Sequence, residues 1–253
     1  MKEQIPAHLS AAEAPQRRYK GWFAPFFIVE NGVVSFSLRD ITLVSGLSIT
    51  VALLWMLYVT CTDGTFECSL TQFPMVSNVI GLKMYDRTFL FMTSFLMFGA
   101  NIGNIRAFYK KQYGVVPDGS NDLLLLLGLV ASLSLPLIGV FDMYKWKLPH
   151  AVCAVLFFGC FGFYCNILAS NLYAHRDRFP AEEQASISSM KTHARTLMIL
   201  LVLTGLSALL HGPTAPIEWA LVLYYVNFFG IASYANSFYS SVHAYEDVLV
   251  PAI

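Results

Sequence analysis

The sequence predicts an all-α, polytopic membrane protein built as a bundle of six transmembrane helices. The chain has 253 residues, of which 56% are hydrophobic and 13% are charged, whereas about 25% of the residues in a soluble domain are charged. The apolar residues gather in six blocks with almost no charge, at residues 41–61, 88–108, 123–143, 151–173, 196–210 and 217–239. Because a bilayer core about 30 Å thick is crossed by roughly 20 helical residues, each block predicts one membrane span.

Residues 1–38 are expected to form a cytosolic segment that touches the membrane interface. No apolar run opens the chain, so we expect no secretory signal peptide. Trp22 and Phe23 are aromatic residues of the kind that anchor a chain at the headgroup level. Residues 39–241 then form the six-span membrane domain, and residues 242–253 form a C-terminal tail.

Two features inside the predicted spans concern the packing of helices. Span two carries Gly99 and Gly103, and small residues at this spacing let two helices approach closely. The pair predicts close packing inside one bundle or, as the alternative, the interface of a homo-oligomer. Pro136 lies in span three, where it removes one backbone hydrogen bond and predicts a kink.

Lys and Arg are distributed unevenly between the two sides of the predicted bundle, and positively charged connections are retained in the cytosol. One side holds only Lys83, Arg87, Lys145 and Lys147. The other side holds Lys2, Arg17, Arg18, Lys20, Arg39, Arg106, Lys110, Lys111, Arg176, Arg178, Lys191 and Arg195. The N and C termini are therefore both predicted to be cytosolic.

The five cysteines fall into two groups. Cys61 and Cys68 lie in the first non-cytosolic connection, in a compartment that permits disulfides, but their spacing alone leaves the pairing open. Cys153, Cys160 and Cys165 lie in span four, where they are expected to pack as small apolar residues. The chain lacks the paired Cys and His spacing of a zinc site, so we expect no metal and no cofactor.

The charge balance narrows the class of partner. The 16 Lys and Arg residues equal the 16 Asp and Glu residues, so no basic surplus points to nucleic acid. We expect membrane lipids as partners, with a cytosolic or membrane protein as a further partner. The sequence shows neither a selectivity filter nor a mid-span charge, which leaves a channel or transporter subunit as the third functional candidate.

Ionisable residues gather at the non-cytosolic ends of the predicted spans. Asp142 ends span three, His150 precedes span four and Glu218 opens span six. At this depth, His and carboxylate groups can form a general acid–base site or bind a lipid headgroup. The alternative is that these side chains pair with one another or with water and fix the ends of the spans.

Two further regions are predicted to contact lipid. The apolar segment at residues 72–81, which includes Pro74 and Ser77, can dip into the outer leaflet or cap the bundle. Arg87 follows it as a candidate phosphate contact. On the cytosolic side, the basic residues suited to anionic lipid are Arg106, Lys110, Lys111, Arg176 and Arg178.

Four short motifs follow one another along the chain: Phe73-Pro-Met-Val-Ser77 with Asp86-Arg87, Asn104-Ile-Arg106-Ala-Phe-Tyr109, Phe141-Asp142 with Leu148-Pro-His150, and Glu218-Trp219. In order and spacing they resemble the FRAG/DRAM/SFK superfamily of six-span proteins. That superfamily includes the damage-regulated autophagy modulators, related TMEM-type plasma-membrane proteins and the factor that acts on GPI anchors after their attachment. The resemblance departs at residues 236–238, where Asn-Ser-Phe replaces a common Asp-Phe pair.

The resemblance implies a lipid-linked role in the Golgi, the lysosome or the plasma membrane. Because the chain shows no nucleophile–base motif, we favour a non-enzymatic regulator that organises or senses lipid and recruits partners at its basic cytosolic edge. The alternative is a lumenal factor that remodels the acyl chains of GPI anchors. In that case His150 is the expected acid or base, and Asp142 or Glu218 is the carboxylate that orients it.

Overall fold

The computed structural model describes residues 27–30, 33–36, 38–69, 72–229 and 248–251. The helices are α1 Leu38–Thr62, α2 Val76–Ile80, α3 Asp86–Phe91, α4 Phe98–Gln112, α5 Asp118–Val140, α6 Lys147–Ala174, α7 Ala181–Leu209 and α8 Thr214–Asn227. A π-helical segment, Met92–Met97, joins α3 to α4, and a 3-10 turn, Arg176–Arg178, follows α6. Three short strands, β1 Phe27–Glu30, β2 Val33–Phe36 and β3 Val248–Pro251, form an antiparallel sheet in that order.

Five helical stretches in the described ranges are long and apolar enough to cross a bilayer. They are Asp40–Thr62, Arg87–Gln112, Asp118–Val140, Lys147–Ala174 and Glu183–Leu209. They coincide with the first five predicted spans, so the chain is a polytopic membrane protein. The predicted sixth span starts in α8, and its part beyond residue 229 lies outside the described residues.

The membrane helices follow chain order around the bundle. Each of α4, α5, α6 and α7 packs against the next helix in the chain, and α1 packs against both α4 and α8, which closes a ring. Neighbours run antiparallel: Asn104, near the end of α4, donates from Nδ2 to Oγ1 of Thr42, near the start of α1, over 2.8 Å. Where the ring closes, Asn227 Nδ2 donates to Thr50 Oγ1 over 2.7 Å.

Glycines set the distance between helices at two of these contacts. A Cβ atom on Gly46 would lie 2.9 Å from the carbonyl oxygen of Val226, so only glycine allows α1 and α8 to approach this closely. Gly103 also faces the inside of the bundle, since a Cβ atom there would lie 2.6 Å from Leu38 Cδ1. Gly99 is exposed and has open space around it. Of the predicted glycine pair, Gly103 therefore serves packing within the chain.

The fifth membrane helix is longer than the sequence predicted. It begins at Ala181 instead of near residue 196. Fully buried apolar residues continue its inner face at helical spacing; they are Ile187, Met190, Ala194 and Leu197. Lys191 and Arg195, which we assigned to the preceding connection, therefore lie within α7.

In its described residues the membrane domain is all-α, as predicted, and the short sheet lies outside it. Residues 27–36 belong to the segment expected at the membrane interface, and within it the structure pairs β1 with β2, with Glu30 opposite Val33. In the sequence, Asn31 and Gly32 separate the two strands. This dipeptide is typical of a two-residue hairpin connection.

Candidate functional site

The candidate site lies at one end of the bundle, which we call the disulfide end. A disulfide joins Cys61 and Cys68, whose Cα atoms are 5.5 Å apart. It follows α1 directly and constrains the connection that leads to α2. Helices α6 and α8 begin at this same end, because they run antiparallel to α5 and α1.

The apolar segment of the first connection folds over the disulfide end. All three apolar residues of α2 are buried. The indole Nε1 of Trp219 donates to the carbonyl oxygen of Pro74 over 2.9 Å. The neighbouring Glu218 carboxylate faces the backbone N–H groups of Val76 and Ser77. Two consecutive residues of α8 therefore fasten this segment, which caps the bundle.

The turn between α5 and α6 supports α2 from another side. Asp142 Oδ1 accepts the backbone N–H groups of Tyr144 and Lys145, over 3.0 and 2.8 Å. The Tyr144 hydroxyl donates to the carbonyl oxygen of Asn78, in α2, over 3.2 Å. Asp142 thus holds its own turn in shape and does not orient His150.

A cavity of about 200 Å³ lies beneath this cap. Its walls come from α1, α2, α5, α6 and α8, together with the helix that contains the π-helical segment, and they are mostly apolar. The polar side chains among its lining residues are Ser77, Thr93, Lys147, His150 and Glu218. Because an apolar cavity of about 150 Å³ holds one benzene molecule, this one has room for a segment of one acyl chain.

His150 is held in a defined orientation in the cavity wall. The residue is 6% exposed, and its Nδ1 lies 2.7 Å from the carbonyl oxygen of Phe141. Because a carbonyl oxygen only accepts, Nδ1 carries the proton of this hydrogen bond. Nε2 is then the ring nitrogen left for a ligand. Lys147 precedes His150 by three residues on α6, so the two side chains share one helix face.

Glu218 lies against the start of α2, in the cap, and among the described residues it makes no hydrogen bond to His150. Its Oε2 atom is buried and, within the described chain, has no hydrogen-bond partner. The hydrogen bond that the structure gives to the His150 ring is with Phe141 and not with a carboxylate. The arrangement therefore positions α2 and presents polar atoms to a ligand, but it does not form a His–carboxylate pair.

The sequence of this helical bundle also matches a known family. Residues 38–235 match the family model described as Frag1/DRAM/Sfk1/Cwh43P N-terminal domain. The chain belongs to the Frag1/DRAM/Sfk1 family. The match extends from α1 through α8 and includes every residue that lines the cavity. It confirms the resemblance carried by the four motifs, and with the apolar helices it makes the chain an integral membrane protein. No curated protein and no solved structure matches the chain.

In this Frag1/DRAM/Sfk1 family member, only some of the predicted site residues come together. His150, Glu218 and Ser77 line one cavity. Pro74 lies behind them in the cap. Arg87 is exposed and does not line the cavity.

The basic residues at the opposite end of the bundle are largely engaged within the chain. Lys111 Nζ lies 3.3 Å from Glu183 Oε1. Arg178 Nη1 donates to the carbonyl oxygen of Val115 over 3.0 Å. The first contact joins α4 to the start of α7, and the second joins the connection after α6 to the connection after α4.

Two cations at this end share one aromatic ring. The Arg176 guanidinium and the Lys191 ammonium lie 4.6 Å and 3.7 Å from the centroid of the Tyr173 ring. Arg106 and Lys110, one turn apart on α4, are exposed. They form the part of the predicted basic edge that faces outward.

Lys147 and Trp219 are the site residues that we did not predict. We counted Lys147 only as a positive residue of a connection, although its spacing from His150 on a helix was readable. We noted Trp219 only as part of a family motif. Its hydrogen bond to Pro74 joins residues 145 positions apart, and no local pattern reports such a contact.

Proposed function

We propose that this protein is a membrane regulator that holds one lipid by an acyl chain in the cavity at the disulfide end. The observation that supports the proposal is the division of the cavity wall. Apolar side chains such as Phe157 and Val226 line the inner part of the cavity. Lys147 and His150 line the part of the cavity next to the first turn of α6. A pocket that is apolar inside and has a few placed polar groups suits an amphiphile.

The orientation and location belong to the same proposal. We place the disulfide end in the lumen or outside the cell, because disulfides persist in oxidising compartments. The uneven distribution of Lys and Arg supports the same orientation, with both termini cytosolic and six spans in all. The compartments proposed are the Golgi, the lysosome or the plasma membrane. We propose Arg106 and Lys110, which are exposed, as contacts of a cytosolic partner or of anionic lipid.

A second candidate function is remodelling of a lipid, such as the acyl chain of a GPI anchor, in the same cavity. It is favoured by the Nε2 atom of His150, which is left for a ligand and is suited to proton transfer. It is opposed by the absence of a hydrogen bond between His150 and a carboxylate in the part of the chain that the structure describes. An unchanged GPI-anchor lipid composition in cells that carry only a His150→Asn protein would exclude this candidate.

The binding proposal is tested by filling the cavity. Ala154 lines the cavity, so Ala154→Phe places a ring in the space that the acyl chain needs. Val155 is the next residue on α6 and is 72% exposed, so Val155→Phe adds the same ring outside the bundle. Each protein is purified in a mild detergent, and its co-purified lipids are measured by native mass spectrometry.

We expect one bound lipid on the wild-type protein and on Val155→Phe, and its loss from Ala154→Phe. A wild-type protein without lipid would overturn the proposal. So would equal amounts of the same lipid on both variants, because that lipid would then lie on the outer surface of the bundle.

A further inference from the structure

We infer that the ligand of the cavity is a phospholipid whose phosphate is bound at the first turn of α6 by Lys147 and His150. The inference rests on the proposed function and names the chemistry of the headgroup. Lys147 and His150 are three residues apart on one helix face, and both line the cavity. One supplies an ammonium group and the other supplies Nε2 of a ring that is 6% exposed.

The hydrogen bond of His150 to Phe141 prepares the ring for an anion. It fixes the direction of the imidazole, and Nδ1 is already the donor in that bond. In its imidazolium form the ring donates from both nitrogens. Nε2 is then a charged donor with no other partner among the described residues, and a phosphate oxygen accepts such a donor well.

The start of α6 adds a favourable backbone field. The helix is 28 residues long and begins at Lys147. The first amides of a helix have no partner within it and carry partial positive charge, which attracts phosphate. Pro149 has no N–H, so the amides of Lys147 and Leu148 are those that the first turn offers.

The surroundings of this turn place it at the depth of lipid headgroups. Tyr144, Trp146 and Leu148 are 56%, 54% and 75% exposed. Tyr and Trp gather where the bilayer core meets water. A phosphate at Lys147 therefore lies at the level where the phosphates of the same leaflet lie, and its acyl chain points toward Ala154 and Phe158 in the cavity.

Glu218 is the negative group in the same wall. Its carboxylate faces the backbone N–H groups of Val76 and Ser77, at the start of α2. Its Oε2 is buried and has no hydrogen-bond partner among the described residues. Lys147 and His150 remain as the groups that distinguish a phosphorylated amphiphile from an uncharged one.

The test uses the full-length protein in dodecyl maltoside and three probes. Oleoyl lysophosphatidic acid carries one chain and a phosphate, mono-oleoylglycerol carries the same chain without the phosphate, and inorganic phosphate carries no chain. Dissociation constants are measured for the wild type, Lys147→Gln, His150→Asn and Lys145→Gln. Lys145 is the matched control, since it is exposed on the adjoining turn and does not line the cavity.

We expect the wild type to bind lysophosphatidic acid about tenfold more tightly than mono-oleoylglycerol, the preference that corresponds to one hydrogen bond to a charged group. Lys147→Gln and His150→Asn should each remove that preference, while Lys145→Gln keeps it. Mono-oleoylglycerol binding should change little in all four proteins.

Three outcomes would overturn the inference. Equal affinity of the wild type for both amphiphiles, with both excluded by Ala154→Phe, would reject the phosphate site and leave the proposed function standing. Binding of neither amphiphile would reject both. Inorganic phosphate that binds as tightly as lysophosphatidic acid would show an anion site without a lipid.

Discussion

At the scale of single residues, the two nitrogens of His150 have different roles. Nδ1 donates to the carbonyl oxygen of Phe141, the residue that follows α5, and Nε2 is available to a ligand. We predict that His150→Ala lowers the free energy of unfolding by about 1–2 kcal/mol, because it leaves that carbonyl without its donor. His150→Asn should keep most of this stability, since its amide N–H lies near the position of Nδ1. Thermal unfolding of both variants in the same detergent measures the difference, and equal losses would contradict these separate roles.

Part of this site could be predicted from the sequence. His150, Asp142 and Glu218 were identified because each stands where an apolar block begins or ends. Helix ends lie at one level, but the direction in which each side chain points depends on the rotation of the helix about its axis. Because α6 is apolar on every side, its sequence does not report that rotation. This is why Asp142 was grouped with His150 although it holds its own turn, whereas the shared face of Lys147 and His150 could have been predicted from their spacing.

At the scale of elements, α2 depends on two neighbouring residues of α8. We predict that Trp219→Phe keeps the bulk of the ring, which is 5% exposed, but removes the donor to Pro74. The loss of one buried hydrogen bond costs about 1 kcal/mol, so amide exchange in α2 should become about fivefold faster. Hydrogen exchange with mass spectrometry on residues 76–81 measures this.

The matched control for this prediction is Trp146→Phe at the same end of the bundle. Trp146 is 54% exposed, and its side chain does not contact α2 through a hydrogen bond in the described structure. Its replacement should leave the exchange of α2 unchanged. Equal acceleration in both variants would mean that the Trp219 hydrogen bond does not fasten the cap.

The contact between α1 and α8 depends on Gly46. We predict that Gly46→Ala destabilises the protein by about 1–3 kcal/mol, because the new methyl group meets the backbone of Val226 and forces the helices apart. Gly99→Ala is the control: no atom lies within 4 Å of its added Cβ, and alanine favours a helix over glycine. Thermal unfolding should therefore rank Gly99→Ala at or above the wild type. A Gly46→Ala protein as stable as Gly99→Ala would contradict the close contact.

Hydropathy predicted the membrane helices well because the bilayer imposes a length and an apolar composition on each of them. It did not predict elements that the bilayer does not constrain. In the first half of α7, Lys191 and Arg195 interrupt the apolar run, so hydropathy alone did not assign this part to the helix. The buried face of α7 nevertheless continues to Ile187. Helix α2 is too short to show a period and is stabilised by contacts with α8 and with the turn after α5.

At the scale of the whole molecule, the ring of helices explains why one end holds a cavity. Helices α1, α3, α5, α6 and α8 each send a side chain to that cavity, and α7 packs outside it against α6 and α8. The structure keeps α5 as one continuous α-helix through Pro136, where the sequence predicted a kink. The π-helical segment Met92–Met97 departs from regular α-helix, and its Thr93 lines the cavity.

The orientation of the whole bundle can be tested with one cysteine at each end. Lys145→Cys places an exposed thiol at the disulfide end. Gly119→Cys places one at the opposite end, where the position is exposed and a Cβ meets no atom within 4 Å. In sealed vesicles with the cytosolic face outward, a membrane-impermeant maleimide should label Gly119→Cys at once and Lys145→Cys only after permeabilisation. The wild-type protein, whose free cysteines lie in α6, gives the background. The reverse order of labelling would place the cavity and its proposed phosphate site on the cytosolic side, against the distribution of Lys and Arg.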